Sequence, residues 1–199
     1  MSFINTIDQH GDEMVFKSIV EGTITEFKDD VLQEVGDYAF YKREQLTTVD
    51  LPAVTSIGEY AFYECEALTS LNVPKLLSFE IYAFAGCEAL KSIELPLVEA
   101  VANYSFRYCY ALERVDLARA TSIGNYAFHL DGALTTLIVR TDTMCTMSNV
   151  NALQGSAIAN GTGYIYVPRA LIEEYKVATG WRTYAAQFRA IEDYPEICG

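Results

Sequence analysis

A period of 22 residues constrains this chain more than any other feature. Set in rows of that length from Gly36, the sequence aligns without a gap: GDYAFYKREQLTTVDLPAVTSI, GEYAFYECEALTSLNVPKLLSF, EIYAFAGCEALKSIELPLVEAV, ANYSFRYCYALERVDLARATSI and GNYAFHLDGALTTLIVRTDTMC. Phe40, Phe62, Phe84, Phe106 and Phe128 fill one column, and Leu46, Leu68, Leu90, Leu112 and Leu134 another. A third runs Val49, Leu71, Ile93, Val115 and Leu137, followed two residues on by Leu51, Val73, Leu95, Leu117 and Val139. A row this short cannot close a core alone, so its apolar columns must stack on those of the next row. Apolar residues at alternate positions predict a short strand with two side chains inward and one outward, ended in the first three rows by Pro52, Pro74 and Pro96. The expected fold is therefore a solenoid of parallel strands, mostly β with short turns, with coils about 4.8 Å apart. The column Gly36, Gly58, Glu80, Ala102, Gly124 marks the turn to the opposite side of each coil. Glycine there relieves a tight or left-handed backbone, although Glu80 and Ala102 show that a positive φ is not compulsory.

The ends depart from the period, as ends must if the terminal apolar columns are to be shielded from water. Residues 1–35 read as an opening cap and a degenerate first coil carrying Ile24, Phe27, Leu32 and Val35; residues 36–140 are the five full repeats. Residues 141–199 read as a lengthened last coil and a helical cap. Tyr164-Ile165-Tyr166-Val167-Pro168 restores the strand-then-proline pattern, and Val167 lies 28 residues after Val139, one period with six residues added. Pro168 to Gly180 has Leu171, Ile172, Tyr175 and Ala178 on one helical face, with proline at the start and glycine at the stop. Trp181 and Phe188, with Thr183 as N-cap, predict a second short helix against the same end. The tail Ile191–Gly199 is expected to pack loosely.

The motifs L-x-x-V-x-L-P, S-I-G-x-Y-A-F and C-x-A-L, strongest from Gly36 to Arg140, resemble the BspA-like class of bacterial leucine-rich repeats. The resemblance implies a right-handed, weakly curved leucine-rich repeat solenoid with little helix, of a kind found in surface-exposed and phage-like proteins that bind other molecules. It implies no catalytic residues and no cofactor.

Composition narrows the partners. Hydrophobic residues make up 51% and charged residues 21%, with 5 prolines and 12 glycines, which excludes a disordered polyampholyte and a collagen-like filament. The formal net charge of −13 repels phosphate backbones and anionic lipid, so neither nucleic acid nor a membrane surface is an expected partner. The first twenty residues carry no apolar run of signal-peptide length, and no stretch is apolar enough to span a bilayer. Five cysteines without an export signal suggest reduced thiols more than a disulfide framework.

Chemistry-bearing residues are few. Cys65, Cys87 and Cys109 share a column, and three collinear thiols do not converge as a tetrahedral metal site requires; a buried ladder of small apolar side chains is the simpler reading. Arg43 and Asp131 stand in that column in the outer rows. The two histidines, His10 and His129, lie in no metal or catalytic motif, and no phosphate-binding or nucleophile motif occurs. The acidic pairs Asp29-Asp30 and Glu173-Glu174 point apart and read as solvated surface. Two stripes remain as candidate binding surfaces. Asp50, Asn72, Glu94 and Asp116 form the outward strand column, a row of oxygens that could bind cations weakly but is also explained as a solvated negative face. Tyr38, Tyr60, Tyr82, Tyr104 and Tyr126 precede the small column beside the core, either as structural stacking or as an aromatic binding edge. The sequon matches Asn103-Tyr104-Ser105 and Asn160-Gly161-Thr162 are taken as coincidental. The function expected is a non-catalytic recognition or structural module that presents Thr, Ser, Asp and Tyr stripes to a protein or glycan partner, at a surface or on a phage. The competing expectation is an enzyme with its site in the irregular segment 141–163.

Overall fold

The computed structural model of the protein describes residues 23–198, so the opening cap expected over residues 1–23 lies, but for its last residue, outside the described residues. The first six coils each contribute a longer strand and a two-residue strand, and the cap adds two more long strands. The opening coil has β1 (Glu26–Lys28) and β2 (Glu34–Val35), the next β3 (Thr48–Asp50) and β4 (Ser56–Ile57), then β5 (Ser70–Asn72) and β6 (Ser78–Phe79). These are followed by β7 (Ser92–Leu95) and β8 (Ala100–Val101), β9 (Arg114–Leu117) and β10 (Ser122–Ile123), β11 (Thr136–Val139) and β12 (Thr146–Met147), β13 (Tyr164–Val167) and β14 (Phe188–Ala190). Every pairing is parallel, and the register steps by one period: Val49 faces Leu71, Ile93 faces Val115, Val115 faces Leu137. The lengthened coil keeps register too, with Leu137 opposite Ile165.

Both rows of strands are interrupted at the same level. The long strands form one sheet in the order β1-β3-β5 and another in the order β14-β13-β11-β9-β7, while the short ones split into β2-β4-β6 and β12-β10-β8. The turn side stays bonded across this junction, with the Phe62 N–H donating to the Ala83 carbonyl at 2.7 Å and the Glu64 N–H to the Ala85 carbonyl at 2.8 Å. The break coincides with Phe79, the one ring in a column otherwise filled by Val35, Ile57, Val101 and Ile123. Its ring packs edge-on at 5.6 Å from both Phe84 and Phe106, wider than the aliphatic side chains it replaces. Leu71 on β5, expected to face inward, is only half-buried there.

The remaining apolar columns are closed. The five Phe and five Leu side chains are all buried, and the Phe rings stack from coil to coil at 4.9, 5.7, 5.1 and 5.5 Å. Threonine hydroxyls staple successive coils: Thr47 donates to the Thr25 carbonyl, Thr69 to that of Thr47, and Thr121 to that of Glu99. The threonines expected to form an outward stripe for partners thus serve the backbone of the preceding coil.

The C-terminal cap differs from expectation in two respects. A single helical turn over Arg169–Leu171 leads into α1 (Ile172–Val177), as the proline start and apolar face predicted, and Gly180 ends the segment at φ 84°. Tyr175 and Trp181 are buried against the last coil, edge to face at 5.3 Å. The second helix, however, is a 3-10 segment over Arg182–Gln187 capped by Trp181, with Thr183 inside it and no side-chain cap bond. Phe188 belongs to β14, whose Phe188–Ala190 pairs with Ile165–Val167 and adds one more strand to the ladder. The tail is also not loose. Beyond a 3-10 turn over Ile191–Asp193 comes α2 (Pro195–Cys198), and Cys198 is buried.

Candidate functional site

The turn side of each coil carries an aromatic column that is exposed at Tyr38 and half-buried at Tyr60, Tyr82, Tyr104 and Tyr126. Tyr38, Tyr60, Tyr82, Tyr104 and Tyr126 stack in one column with ring centroids 5.1, 4.8, 4.7 and 5.0 Å apart and planes within 15° of parallel. All five have left-handed backbones, with φ between 53° and 58°. Each coil has two left-handed residues, the tyrosine two positions after the glycine column that the sequence marks and the residue four further on, Lys42, Glu64, Gly86, Tyr108 or Leu130. Glycine in that column answers to space instead. A Cβ on Gly58 would stand 2.4 Å from Asp37 Oδ1, and one on Gly124 2.7 Å from Asn103 Oδ1. Those oxygens fold over the glycine to accept the next N–H, from Glu59 at 2.9 Å and from Asn125 at 2.7 Å. Where the preceding coil offers Glu59 or Ile81 instead, the column tolerates Glu80 and Ala102.

A second column, not singled out from the sequence, lies beside the ladder. Each ladder tyrosine's carbonyl accepts the N–H three residues on, from Tyr41, Tyr63, Ala85, Arg107 and His129. Tyr41 and Tyr63 stack at 5.3 Å and interleave edge-on with the ladder, Tyr63 meeting Tyr60 at 5.3 Å. Arg107 lies over the Tyr108 ring at 4.3 Å, and His129 meets Tyr126 edge-on at 5.0 Å. The signal that could have found this column is the same 22-residue spacing, read three places after the ladder.

Burial and a few charged neighbours set the electrostatics of this face at Tyr60, Tyr63, Glu64 and His129. Burial, then bonding to Glu64, pushes the Tyr63 hydroxyl up to about 12, and burial raises that of Tyr60. Glu64 is drawn below its ordinary value by Lys42, which it meets at 2.9 Å. Burial and the neighbouring Arg107 lower His129, so its ring stays neutral near pH 7. The Tyr126 hydroxyl accepts the Asn151 amide at 3.0 Å. The face thus presents hydroxyls on rings whose positions are already fixed by stacking.

The acidic column is not a uniform stripe. Asp50 and Asn72 bond to each other at 2.7 Å, and Glu94 is exposed. Asp116, expected to face solvent, is buried and paired with Arg114 at 3.0 Å and Arg140 at 2.7 Å, which removes it from any cation-binding row. Among the described residues no group of three or more metal-ligating side chains converges. The segment 141–163 packs Cys145, Met147, Ala152, Leu153 and Ile158 into the core. Its one fully buried hydroxyl, Ser156, accepts the Ala159 N–H at 3.1 Å.

The thiol column forms the ladder its spacing predicts. Cys65, Cys87 and Cys109 are fully buried, and each Sγ donates to a carbonyl 25 residues earlier, those of Phe40, Phe62 and Phe84. Burial pushes Cys65 and Cys145 up to about 12 and Cys87 and Cys109 well above the ordinary thiol value, which removes the reactive thiolate. A thiol reagent added to the native protein should therefore modify Cys65, Cys87 and Cys109 only at the rate of unfolding. Fast modification of Cys87 would restore a chemical role to the column.

No curated protein sequence matches the chain. A leucine-rich cell surface protein of Faecalibacterium prausnitzii is 27% identical with a TM-score of 0.55, covering 73% of this chain and 37% of its own. A leucine-rich repeat protein of Bacteroides ovatus shares the fold at 24% identity and a TM-score of 0.52, over 73% of this chain and 39% of that one. The T. pallidum leucine-rich repeat protein is 28% identical with a TM-score of 0.50, over 55% of this chain and 52% of that one. The chain thus spans about half or less of the length of each of these structures. The model of the BspA type leucine rich repeat region matches residues 15–158 in six copies, and with the stacked 22-residue coils this places the chain in the BspA-type leucine-rich repeat family.

Proposed function

We infer that the protein is a non-catalytic recognition module which engages a protein or glycan partner along the tyrosine face of its coils, displayed at a cell surface. The observation that carries this reading is the ladder itself, five tyrosines stacked 4.7–5.1 Å apart and flanked by Tyr41 and Tyr63. Tyrosine offers large amphipathic contact area with few rotatable bonds, and rings already held by stacking lose little freedom on binding. The cell surface description of the similar Faecalibacterium protein supports the setting. The commitment of Cys145, Met147, Ala152, Leu153 and Ile158 to the core favours recognition over an enzyme site in segment 141–163, and the internal bonds of Asp50, Asn72 and Asp116 favour the tyrosines over the acidic column.

The test replaces Tyr60, Tyr82 and Tyr104 together by phenylalanine, which keeps the stack and removes three hydroxyls. Unfolding free energy should stay within about 0.5 kcal/mol per site, as for surface changes that create no cavity. Affinity for a partner found by screening immobilised glycoproteins and bacterial polysaccharides should fall about tenfold or more, the equivalent of one or two lost hydrogen bonds. A partner that binds the triple variant as tightly as the parent would remove the tyrosine face from the reading. A measurable turnover abolished by one substitution in 141–163 would overturn the non-catalytic assignment.

A further inference from the structure

The outward strand column that runs from Lys28 through Asp50, Asn72 and Glu94 continues through Asp116, Ile138 and Tyr166, and there it is covered. Beyond β14 the chain turns back across the sheet. Tyr194 meets Tyr166 edge-on at 5.4 Å, and Ile191, Ile197 and Cys198 pack with Ile138 and Tyr166 in an apolar cluster separate from the solenoid core. The segment thus recrosses the strands in reverse, from β14 over β13 and β11 to β9.

Two arginines hold its end. Arg114 Nη1 donates to the Ile197 carbonyl at 2.7 Å, and Arg140 Nη2 donates to the Cys198 carbonyl. Asp116 fixes both guanidiniums, accepting Arg140 through two bonds of 2.7 Å and Arg114 through one of 3.0 Å. The carbonyls at the end of a helical turn have no partner within it, so the arginines satisfy groups the turn leaves open. An aromatic and two aliphatic anchors on an apolar shelf, edged by charge-assisted hydrogen bonds, make up the anatomy of an interface. The core closes without them, because Tyr175, Trp181 and Phe188 already cover the last coil.

We propose that the face formed by β9, β11 and β13 is a peptide-binding site, which residues 191–198 fill as an intramolecular ligand. The external ligand it admits is a short helical turn with an aromatic side chain three residues before an aliphatic one, as Tyr194 precedes Ile197, and with two free carbonyls at its end. The site uses a different column from the tyrosine face and does not rest on that reading. Asp116 is its positioning residue, aligning the arginines that touch the ligand.

The experiment uses the full chain carrying Tyr194→Asp and Ile197→Asp together, which releases the segment by placing carboxylates on the apolar shelf. The probe is a fluorescent synthetic peptide with the sequence of residues 190–199. The released chain should bind it with half-saturation below about 1 mM, the range of effective concentration a short tether supplies. The parent chain, its site occupied, should bind at least about tenfold more weakly, and adding Arg140→Gln to the released chain should abolish binding. Cys198 reports the release independently. Its thiol should react at least about tenfold faster in the released chain while Cys65, Cys87 and Cys109 stay protected. A released chain that binds the peptide no better than the parent overturns the proposal. So does one in which the three core thiols become reactive, because the segment is then part of the fold and not its ligand.

Discussion

Phe84→Ala should lower the unfolding free energy by about 3–5 kcal/mol, the range for deleting a buried ring, measured by urea titration. The ring is fully buried, stacked 5.7 Å from Phe62 and 5.1 Å from Phe106, with Phe79 edge-on at 5.6 Å. Removing it opens a cavity walled by the rings of both neighbouring coils. Those walls cannot close in, because the coil backbones are tied on either side, Phe62 N–H to the Ala83 carbonyl at 2.7 Å and Phe84 N–H to the Ser105 carbonyl at 2.9 Å. The position also bears on cooperativity. In a solenoid, stability is a sum of coil terms and nearest-neighbour terms, and the strand ladders are already interrupted between β5 and β7 and between β6 and β8. Turn-side bonds and the Phe column therefore carry that junction, and weakening it should broaden the transition or split it in two, with a lower m-value. A loss under about 1 kcal/mol with an unchanged transition would contradict the assignment of Phe84 to a continuous core column.

What could be read from the sequence is what the period controls. Columns of Phe40 to Phe128 and Leu46 to Leu134 are buried because identical side chains one coil apart must meet, and any parallel stack of 22-residue rows puts them in contact. The thiol ladder and the tyrosine ladder follow from the same argument. Three features escaped it, each for a local reason. The left-handed residues lie two and six positions after the glycine column, at the ladder tyrosines and at Lys42, Glu64, Gly86, Tyr108 and Leu130, because coil geometry places the strain there, and at the tyrosines stacking holds a side chain glycine lacks. Phe188 enters a strand because the period resumes in the cap, where spacing no longer marks it. The tail Ile191–Cys198 docks through single contacts with Arg114, Arg140 and Tyr166, residues that belong to columns whose other members do something else. Repetition makes a column legible, and a contact made once leaves no pattern.

Asp131→Cys should raise the unfolding free energy by about 1–3 kcal/mol near pH 4, the cost of leaving a buried polar atom without a partner, and by more at pH 7. Asp131 stands in the thiol column of the last full repeat and is completely buried. Its Oδ1 accepts the Cys109 N–H at 2.9 Å, while Oδ2 has no hydrogen-bond partner. Burial drives its carboxyl well above the ordinary aspartate value, against a smaller opposing pull from the Cys109 N–H. The substitution does not orphan that N–H, which also donates to the Phe106 carbonyl at 3.2 Å. Cys65, Cys87 and Cys109 each donate to a carbonyl 25 residues earlier, and the same step from position 131 leads the introduced thiol to the Phe106 carbonyl. The pH dependence follows from the direction of the shift. A carboxyl whose folded value lies above its unfolded value keeps its proton in the fold after the unfolded chain has released it. Stability is therefore lost as pH rises from the unfolded value near 4 towards the folded one, at about 1.4 kcal/mol per pH unit for one proton. The advantage of Asp131→Cys over the parent should be smallest near pH 4 and grow towards pH 7, and Asp131→Asn should remove the slope without supplying the thiol bond. Using the difference between variant and parent cancels the self-repulsion of the other acidic residues, which the formal charge of −13 makes substantial. A difference that stays constant from pH 4 to pH 7 would mean that Asp131 is charged and solvated in the folded protein, and with it the closed core of the fifth repeat would have to be abandoned.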